Sequence, residues 1–273
     1  MSPARQALAD AAARFGFSAT PRLDAELLLA HALGIPRERL LLTLADQPVP
    51  PAFADLVARR EAHEPVAYLT GTRAFWTIDL AVGPGALVPR ADSETLIEAA
   101  VDHFAGRAGP DRVLDLGTGP GTLLLAALAQ WPAATGLGID AAPAALDWAV
   151  RNARALGLED RAAFRQGDWA AGVEERFDLV LANPPYIAAA ADLPREVAGY
   201  EPAGALFAGT DGLDAYRVIA RQLPGLIAPG GVACIEIGFD QAAAVAALLA
   251  AAGLRATLRR DLAGRDRCLV AEP

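Results

Sequence analysis

Asn183-Pro184-Pro185-Tyr186 combines a carboxamide, two rings that fix the backbone and a flat aromatic face. It follows the strand-like apolar run 177–182. Successive prolines cannot continue a sheet or a helix interior, and each drives the residue before it into an extended conformation. The pattern predicts a stiff loop at the end of a buried strand. Asn183 stands at its mouth with one acceptor oxygen and one NH2 donor. Such a loop suits a planar NH2-bearing group, an amide or the edge of a base. A plain strand-ending turn uses the same residue types, so its meaning depends on what the fold places beside it.

A second stretch with chemical potential is Gly117-Thr118-Gly119-Pro120-Gly121, between the apolar run 112–116 and a helical run 123–130. Glycines let a backbone approach a ligand closely where a helix begins. The spacing Gly-x-Gly-x-Gly differs from the Gly-x-Gly-x-x-Gly of dinucleotide pyrophosphate sites. Asp140 ends the next strand, about twenty residues on, where an acid can accept both hydroxyls of a ribose; capping the following helix is the competing role. Asp168-Trp169 ends a third strand and offers an acceptor and an apolar contact to an adenine, although a tryptophan there also serves as core. In a parallel sheet the strand ends at 117, 140, 168 and 183 open on one edge, where ligands bind.

The elements that must hold these residues follow from periodicity. From residue 111 strands and helices alternate, the signature of an α/β domain with a mostly parallel, Rossmann-like sheet. Runs 255–259 and 267–271, joined by a short turn, predict an antiparallel pair at the sheet edge, so the last strand runs against the rest. Residues 1–64 show apolar positions at helical spacing and predict a small helical bundle. Residues 65–90 form a connector, with a hairpin expected around Gly71 and a linker at Gly83-Pro84-Gly85. Residues 91–273 form the α/β domain, opened by a helix from Glu94 that Asp92 or Ser93 would cap. The connection from Tyr186 to about Asp211 is long enough to expect a role in function.

Composition narrows the chemistry. A net charge of −9 argues against a domain built to grip phosphate backbones. All 24 basic residues are arginine, so no lysine Schiff base is available. Cys234 and Cys268 lie in apolar runs and read as buried free thiols of a reducing cytoplasm. His31, His63 and His103 show no ligand spacing, so no metal site is expected. No apolar run is long enough to span a bilayer.

With these residues in place the chain resembles the release-factor glutamine methyltransferases, of the PrmC/HemK type, among class I S-adenosylmethionine-dependent methyltransferases. The resemblance rests on Asp115 to Gly121, Asp140 and Asn183 to Tyr186. It is extended by Glu64 to Gly71, Phe75-Trp76, Val88-Pro89-Arg90, Leu206 to Gly209 with Asp211 to Leu213, and Asp261 to Asp266. Ala91-Asp92-Ser93 and Pro120 depart from the family's usual residues. The resemblance implies S-adenosyl-L-methionine held by Gly117 to Gly121, Asp140, Asp168, Trp169 and Asn183. It implies methylation of the glutamine amide nitrogen in the Gly-Gly-Gln motif of peptide chain release factors. The substrate amide would meet Asn183, Pro184, Pro185, Tyr186 and Arg90, with Asn183, Pro184 and Tyr186 catalytic. Residues 1–64 would recognise the release factor, with the enzyme a cytoplasmic monomer that binds neither nucleic acid nor membrane. A ribosomal-protein glutamine, or an amino group of a nucleic acid, is the alternative substrate.

Overall fold

Pro3 and Pro21 open helices of the N-terminal region at their first positions, and Gly34 and Gly71, in the left-handed conformation, close two of them. The structure, a computed structural model, describes residues 2–273 and forms two compact units. The first unit holds the residues up to Thr72 together with Leu193–Tyr200. Its helices are α1 (Pro3–Arg14), α2 (Pro21–Leu33), α3 (Arg37–Thr43), α4 (Ala52–Glu61), α5 (Val66–Thr70) and, much later in the chain, α9 (Arg195–Ala198). Leu8, Phe15, Leu28, Leu29, Leu40 and Phe53 form its core. Arg60 and Asp24, both buried, form an ion pair at 2.8 Å, and Arg60 also reaches Glu196 at 2.7 Å. The Tyr200 hydroxyl donates to the Ala62 carbonyl at 3.0 Å. These two contacts hold the later segment in the first unit.

The second unit spans Arg73–Asp192 and Glu201–Pro273. A hairpin of β1 (Thr72–Phe75) and β2 (Ile78–Ala81) leads into it. Then come α6 (Glu94–His103), β3 (Arg112–Leu116), α7 (Thr122–Gln130), β4 (Thr135–Asp140), α8 (Pro143–Ala155), β5 (Ala162–Gln166) and β6 (Phe177–Ala182). After the long connection follow α10 (Asp214–Leu226), β7 (Ile227–Glu236), α11 (Ala242–Ala251), β8 (Arg255–Arg260) and β9 (Asp266–Glu272). The sheet has seven strands in the order β5-β4-β3-β6-β7-β9-β8. Strands β5 to β7 are parallel, and β9 runs antiparallel to both of its neighbours. The near-continuous apolar runs of β3, β6 and β7 match strands covered on both faces; Leu114, Val180 and Ile235 are buried in the main core. The chain leaves β3 outward to β4 and β5, then returns to β6. This reversal opens a crevice beyond the carboxyl ends of β3 and β6, the place where open α/β sheets bind ligands.

One local expectation is corrected. The hairpin turns at Trp76, not around Gly71. Pro65 opens α5, and Gly71 takes up the left-handed conformation that ends it, with φ 74°. Strand β7 carries a bulge: Ile227 pairs with Phe177 and Val232 with Leu179, so Pro229-Gly230-Gly231 bulges within it. The connection after Tyr186 is also structured: Ile187 bridges to Phe207. Cys234 on β7 and Cys268 on β9 are free thiols at 0% exposure.

Candidate active site

The carboxyl ends of β3, β4 and β6 open into a cavity of about 370 Å³ in the second unit. This lies within the range of small-molecule sites, roughly 300–1,000 Å³. Gly117, Thr118, Gly119, Pro120, Asp140, Asp168, Trp169, Asn183, Pro185 and Arg90 all line it. Pro184 is buried next to this wall, and Tyr186 packs against the main core.

The glycine loop is shaped by backbone that only glycine adopts without strain. Gly117, Gly119 and Gly121 have φ of 73°, 57° and 84°. A Cβ on Gly119, a half-buried residue lining the cavity, would meet nothing within 4 Å, which leaves room for a ligand against its backbone. The N–H groups of Gly117 and Thr118 both donate to the Ile139 carbonyl, at 2.8 and 2.9 Å. The Thr118 hydroxyl turns inward and donates to Asp115 Oδ2 at 2.7 Å, which also accepts from Leu124 N at 3.1 Å. Asn152 Nδ2 donates to the Pro120 carbonyl at 2.9 Å.

Asp140 serves the loop and the next helix together. Its Oδ2 accepts from Gly119 N at 2.8 Å and its Oδ1 from Ala142 N at 2.9 Å. Each carboxylate oxygen keeps a second lone pair toward the cavity. Asp168 is exposed at the rim, and Trp169 is half-buried. Trp169 adopts a left-handed backbone with φ 51°, an uncommon state for a bulky residue. Its indole edge lies over Gly117, 3.4 Å from where a Cβ would stand.

At the end of β6, Asn183 donates from Nδ2 to Ser93 Oγ at 3.1 Å, which leaves Oδ1 available. The Tyr186 carbonyl accepts from Gln241 Nε2 at 3.0 Å, which pins the loop after the prolines. Burial, with the nearby Glu236 charge second, pushes the Tyr186 phenol up to about 12. Arg90 pairs with Glu201 at 2.5 Å, and Glu201 also accepts from Val88 N at 3.3 Å.

Two residues missed by the sequence reading, Asp115 and Ser93, line this site, and a third, Glu236, is buried without lining it. Asp115 lines the cavity, and burial raises its carboxyl to about 7; its Oδ1 is buried without a hydrogen-bond partner. Its place in the strand before the glycine loop was the available signal. Ser93 sits at the N-cap of α6 but makes no cap hydrogen bond there; its oxygen accepts from Asn183 instead. Glu236, at the end of β7, is a buried carboxyl raised to about 7 by burial, and nothing local in the sequence marks it. Among the described residues no group of His, Cys, Asp and Glu could hold a metal ion. The cavity therefore offers aligned acceptors for cationic and hydroxyl-bearing groups, an aromatic wall, and a carboxamide held by a hydroxyl.

Residues 6–71 match a family model described as the PrmC N-terminal domain, and residues 109–236 match one described as a methyltransferase domain. A release factor glutamine methyltransferase of Rhodospirillum rubrum is 51% identical over 258 residues, covering 92% of this chain and 78% of that protein. Another, of Cereibacter sphaeroides, is 48% identical over 256 residues, covering 91% of this chain and 90% of its own. Among solved structures, a methyltransferase from Pyrococcus furiosus shares the fold, with TM-score 0.54 and 17% identity, covering 80% of this chain and 97% of that one.

Proposed function

The chain belongs to the release factor glutamine methyltransferase family, and from that membership we propose that it methylates the side-chain amide nitrogen of the glutamine in the Gly-Gly-Gln motif of peptide chain release factors. The methyl donor is S-adenosyl-L-methionine, which supplies an electrophilic methyl carbon on a sulfonium. The cavity's own residues fit that donor. The unpartnered Oδ1 of Asp115 is an acceptor for an ammonium group. Asp140 accepts ribose hydroxyls, the open backbone at Gly119 admits close approach, and Trp169 with Asp168 receives the base.

The amide nitrogen is a poor nucleophile because its lone pair is shared with the carbonyl. Asn183 Oδ1 and the Pro184 carbonyl accept its two N–H bonds. They aim the nitrogen at the methyl and stabilise the positive charge that grows on it. The amidium formed is strongly acidic, so no base needs to act before transfer. Pro185 and Tyr186 confine the amide, and Arg90, held by Glu201, marks the entry side. The first unit docks the release factor, and the chain acts as a cytoplasmic monomer without contact to nucleic acid.

The observation that carries this reading is the hydrogen bond from Asn183 to Ser93, since it leaves the carboxamide oxygen free for a substrate N–H. Mass spectrometry of release factors incubated with enzyme and cofactor tests it. One added methyl on the glutamine of the Gly-Gly-Gln peptide is the expected result. Methylation confined to a ribosomal protein or to nucleic acid would overturn it.

A further inference from the structure

Asp261 to Asp266 carries part of the family resemblance, yet the reaction above has no use for it. The turn it forms between β8 and β9 holds a buried cation. Asp261 Oδ1 accepts from Ala263 N and Arg265 N, both at 3.0 Å, which shapes the turn. Its Oδ2 accepts from Arg267, from Nε at 3.2 Å and from Nη2 at 3.1 Å. Arg267 is 6% exposed, and Cys268 to Ala271 after it are buried and apolar. A guanidinium in such a place needs its charge and its N–H groups met. Asp261 alone balances the charge. A second carboxylate joins nonetheless: Arg267 Nη2 lies 3.3 Å from Asp92 Oδ2.

Asp92 belongs to the single 3-10 turn Ala91–Ser93 in front of α6. Its side chain is 55% exposed, so the contact adds little to stability. What it fixes is the place of the turn. Ser93 makes no capping bond to α6; its oxygen accepts from Asn183 Nδ2 at 3.1 Å. The Ser93 side chain therefore gives the turn no anchor on its own helix. The residues on either side supply the anchors. Glu94 Oε1 accepts from Trp76 N at 2.8 Å, and Asp92 pairs with Arg267. A shift of the turn would carry Ser93 Oγ with it, and so move the partner of the Asn183 carboxamide.

We propose that Arg267, held by Asp261, is a positioning residue that grips Asp92 and so sets Ser93 where it orients Asn183. This role rests on the glutamine-methylation reading above and gives the Asp261 to Asp266 turn a part in it.

The test uses the full chain as wild type, Asp92→Ala, Arg267→Lys, Ser93→Ala and the doubles of Asp92→Ala with each of the other two. The substrate is a Gly-Gly-Gln release factor with saturating cofactor. Lysine keeps the charge that Asp261 needs but lacks the fork that joins two carboxylates. Turnover of Asp92→Ala and of Arg267→Lys should each fall roughly 10-fold, as for loss of alignment at a reacting group. The KM for the release factor should stay within about two-fold, because the loss is made in the transition state. Cofactor affinity by titration calorimetry should be unchanged, since neither residue lines the cavity. The thermal midpoint of Asp92→Ala should stay within about 3 °C of wild type, because a half-exposed ion pair stabilises little. Each double should be no slower than the slower of its singles, because the effect runs along one path through Ser93. Unchanged turnover in Asp92→Ala overturns the proposal. So does a double whose loss is the product of its single losses, a rise in KM with turnover intact, or a larger fall in the midpoint of Asp92→Ala. Should Arg267→Lys not fold, Asp92→Ala and its double with Ser93→Ala decide alone. A wild-type enzyme that leaves release factors unmethylated removes the parent reading and this one with it, whereas an active wild type with an equally active Asp92→Ala removes this one only.

Discussion

Asp140 Oδ2 accepts a hydrogen bond from the backbone N–H of Gly119 at 2.8 Å, so the end of β4 is tied to the crest of the glycine loop. The carboxylate that shapes the loop is thus the one proposed to bind the ligand. Asp140→Ala removes the acceptor proposed for ribose hydroxyls and leaves Gly119 N–H unpaired. Cofactor affinity should fall by about 1–3 kcal/mol per lost partner. Titration calorimetry reads this directly, and unchanged affinity would place the cofactor elsewhere.

Asn183→Ala deletes the oxygen proposed to steady the growing charge on the substrate nitrogen. Turnover should fall by roughly 100-fold or more, in the range for removing one preorganised polar group. Asn183→Asp keeps size and acceptor but offers Ser93 no NH2 and adds a charge beside the sulfonium. Its turnover should fall as well, with the smaller loss in cofactor affinity. Single-turnover kinetics at saturating cofactor separate the two quantities.

Asp115, proposed to receive the cofactor's ammonium, should make cofactor binding sensitive to pH. Burial raises its carboxyl to about 7, so near neutrality much of it is protonated before the cofactor arrives. An ammonium beside Oδ1 favours the ionised form and lowers that value. Binding near pH 7 should then release protons, and affinity should climb as pH rises toward and past that value. The sign for stability is opposite. The folded value lies above the unfolded one, so this group stabilises the free protein at low pH and the gain is lost as pH rises through about 7. Calorimetry in buffers of differing ionisation heat counts the protons, and Asp115→Asn should abolish the release.

Gly212 fixes the loop behind Tyr186 by closeness. A Cβ there would stand 2.4 Å from the Tyr186 carbonyl, and the residue has φ 74°. Gly212→Ala pays for both the clash and the backbone, a cost of order 1–3 kcal/mol for the conformation alone. Turnover should fall while cofactor affinity changes little. Thermal unfolding together with kinetics distinguishes a local shift from general unfolding.

A chain lacking residues 1–72 should bind cofactor yet methylate intact release factor poorly. The deletion also removes Arg60 and Ala62, the partners of Glu196 and Tyr200 in the first unit. The segment Leu193–Tyr200 should become accessible to protease. Full activity on the intact factor would show that the first unit does not dock it.

Much of this arrangement was legible because it is written in short range. Strand-helix alternation from residue 111 fixed where Gly117, Asp140, Asp168 and Asn183 would emerge, since a parallel sheet brings its strand ends to one edge. The hairpin was misread because Gly71 between two threonines looks like a turn, whereas Pro65 six residues earlier had already started a helix that glycine ends. Ser93 was invisible for a different reason. Its role exists only across 90 positions in the chain, from Asn183 to Ser93, and no local pattern encodes such a meeting. The left-handed backbone of Trp169 likewise depends on its surroundings, not on its own preference.

Cys234 and Cys268, at 0% exposure on neighbouring strands, give the sheet a built-in clock. A thiol reagent reaches them only while β7 and β9 are parted, so the rate of labelling counts openings of that edge. The chain has just these two cysteines, so the signal has a single origin in the fold. If such openings also dismantle the cavity beside β6, saturating ligand must slow the labelling in proportion to its concentration over its dissociation constant. If they do not, the rate will ignore the ligand, and the antiparallel edge of the sheet breathes independently of the strands that carry Asn183.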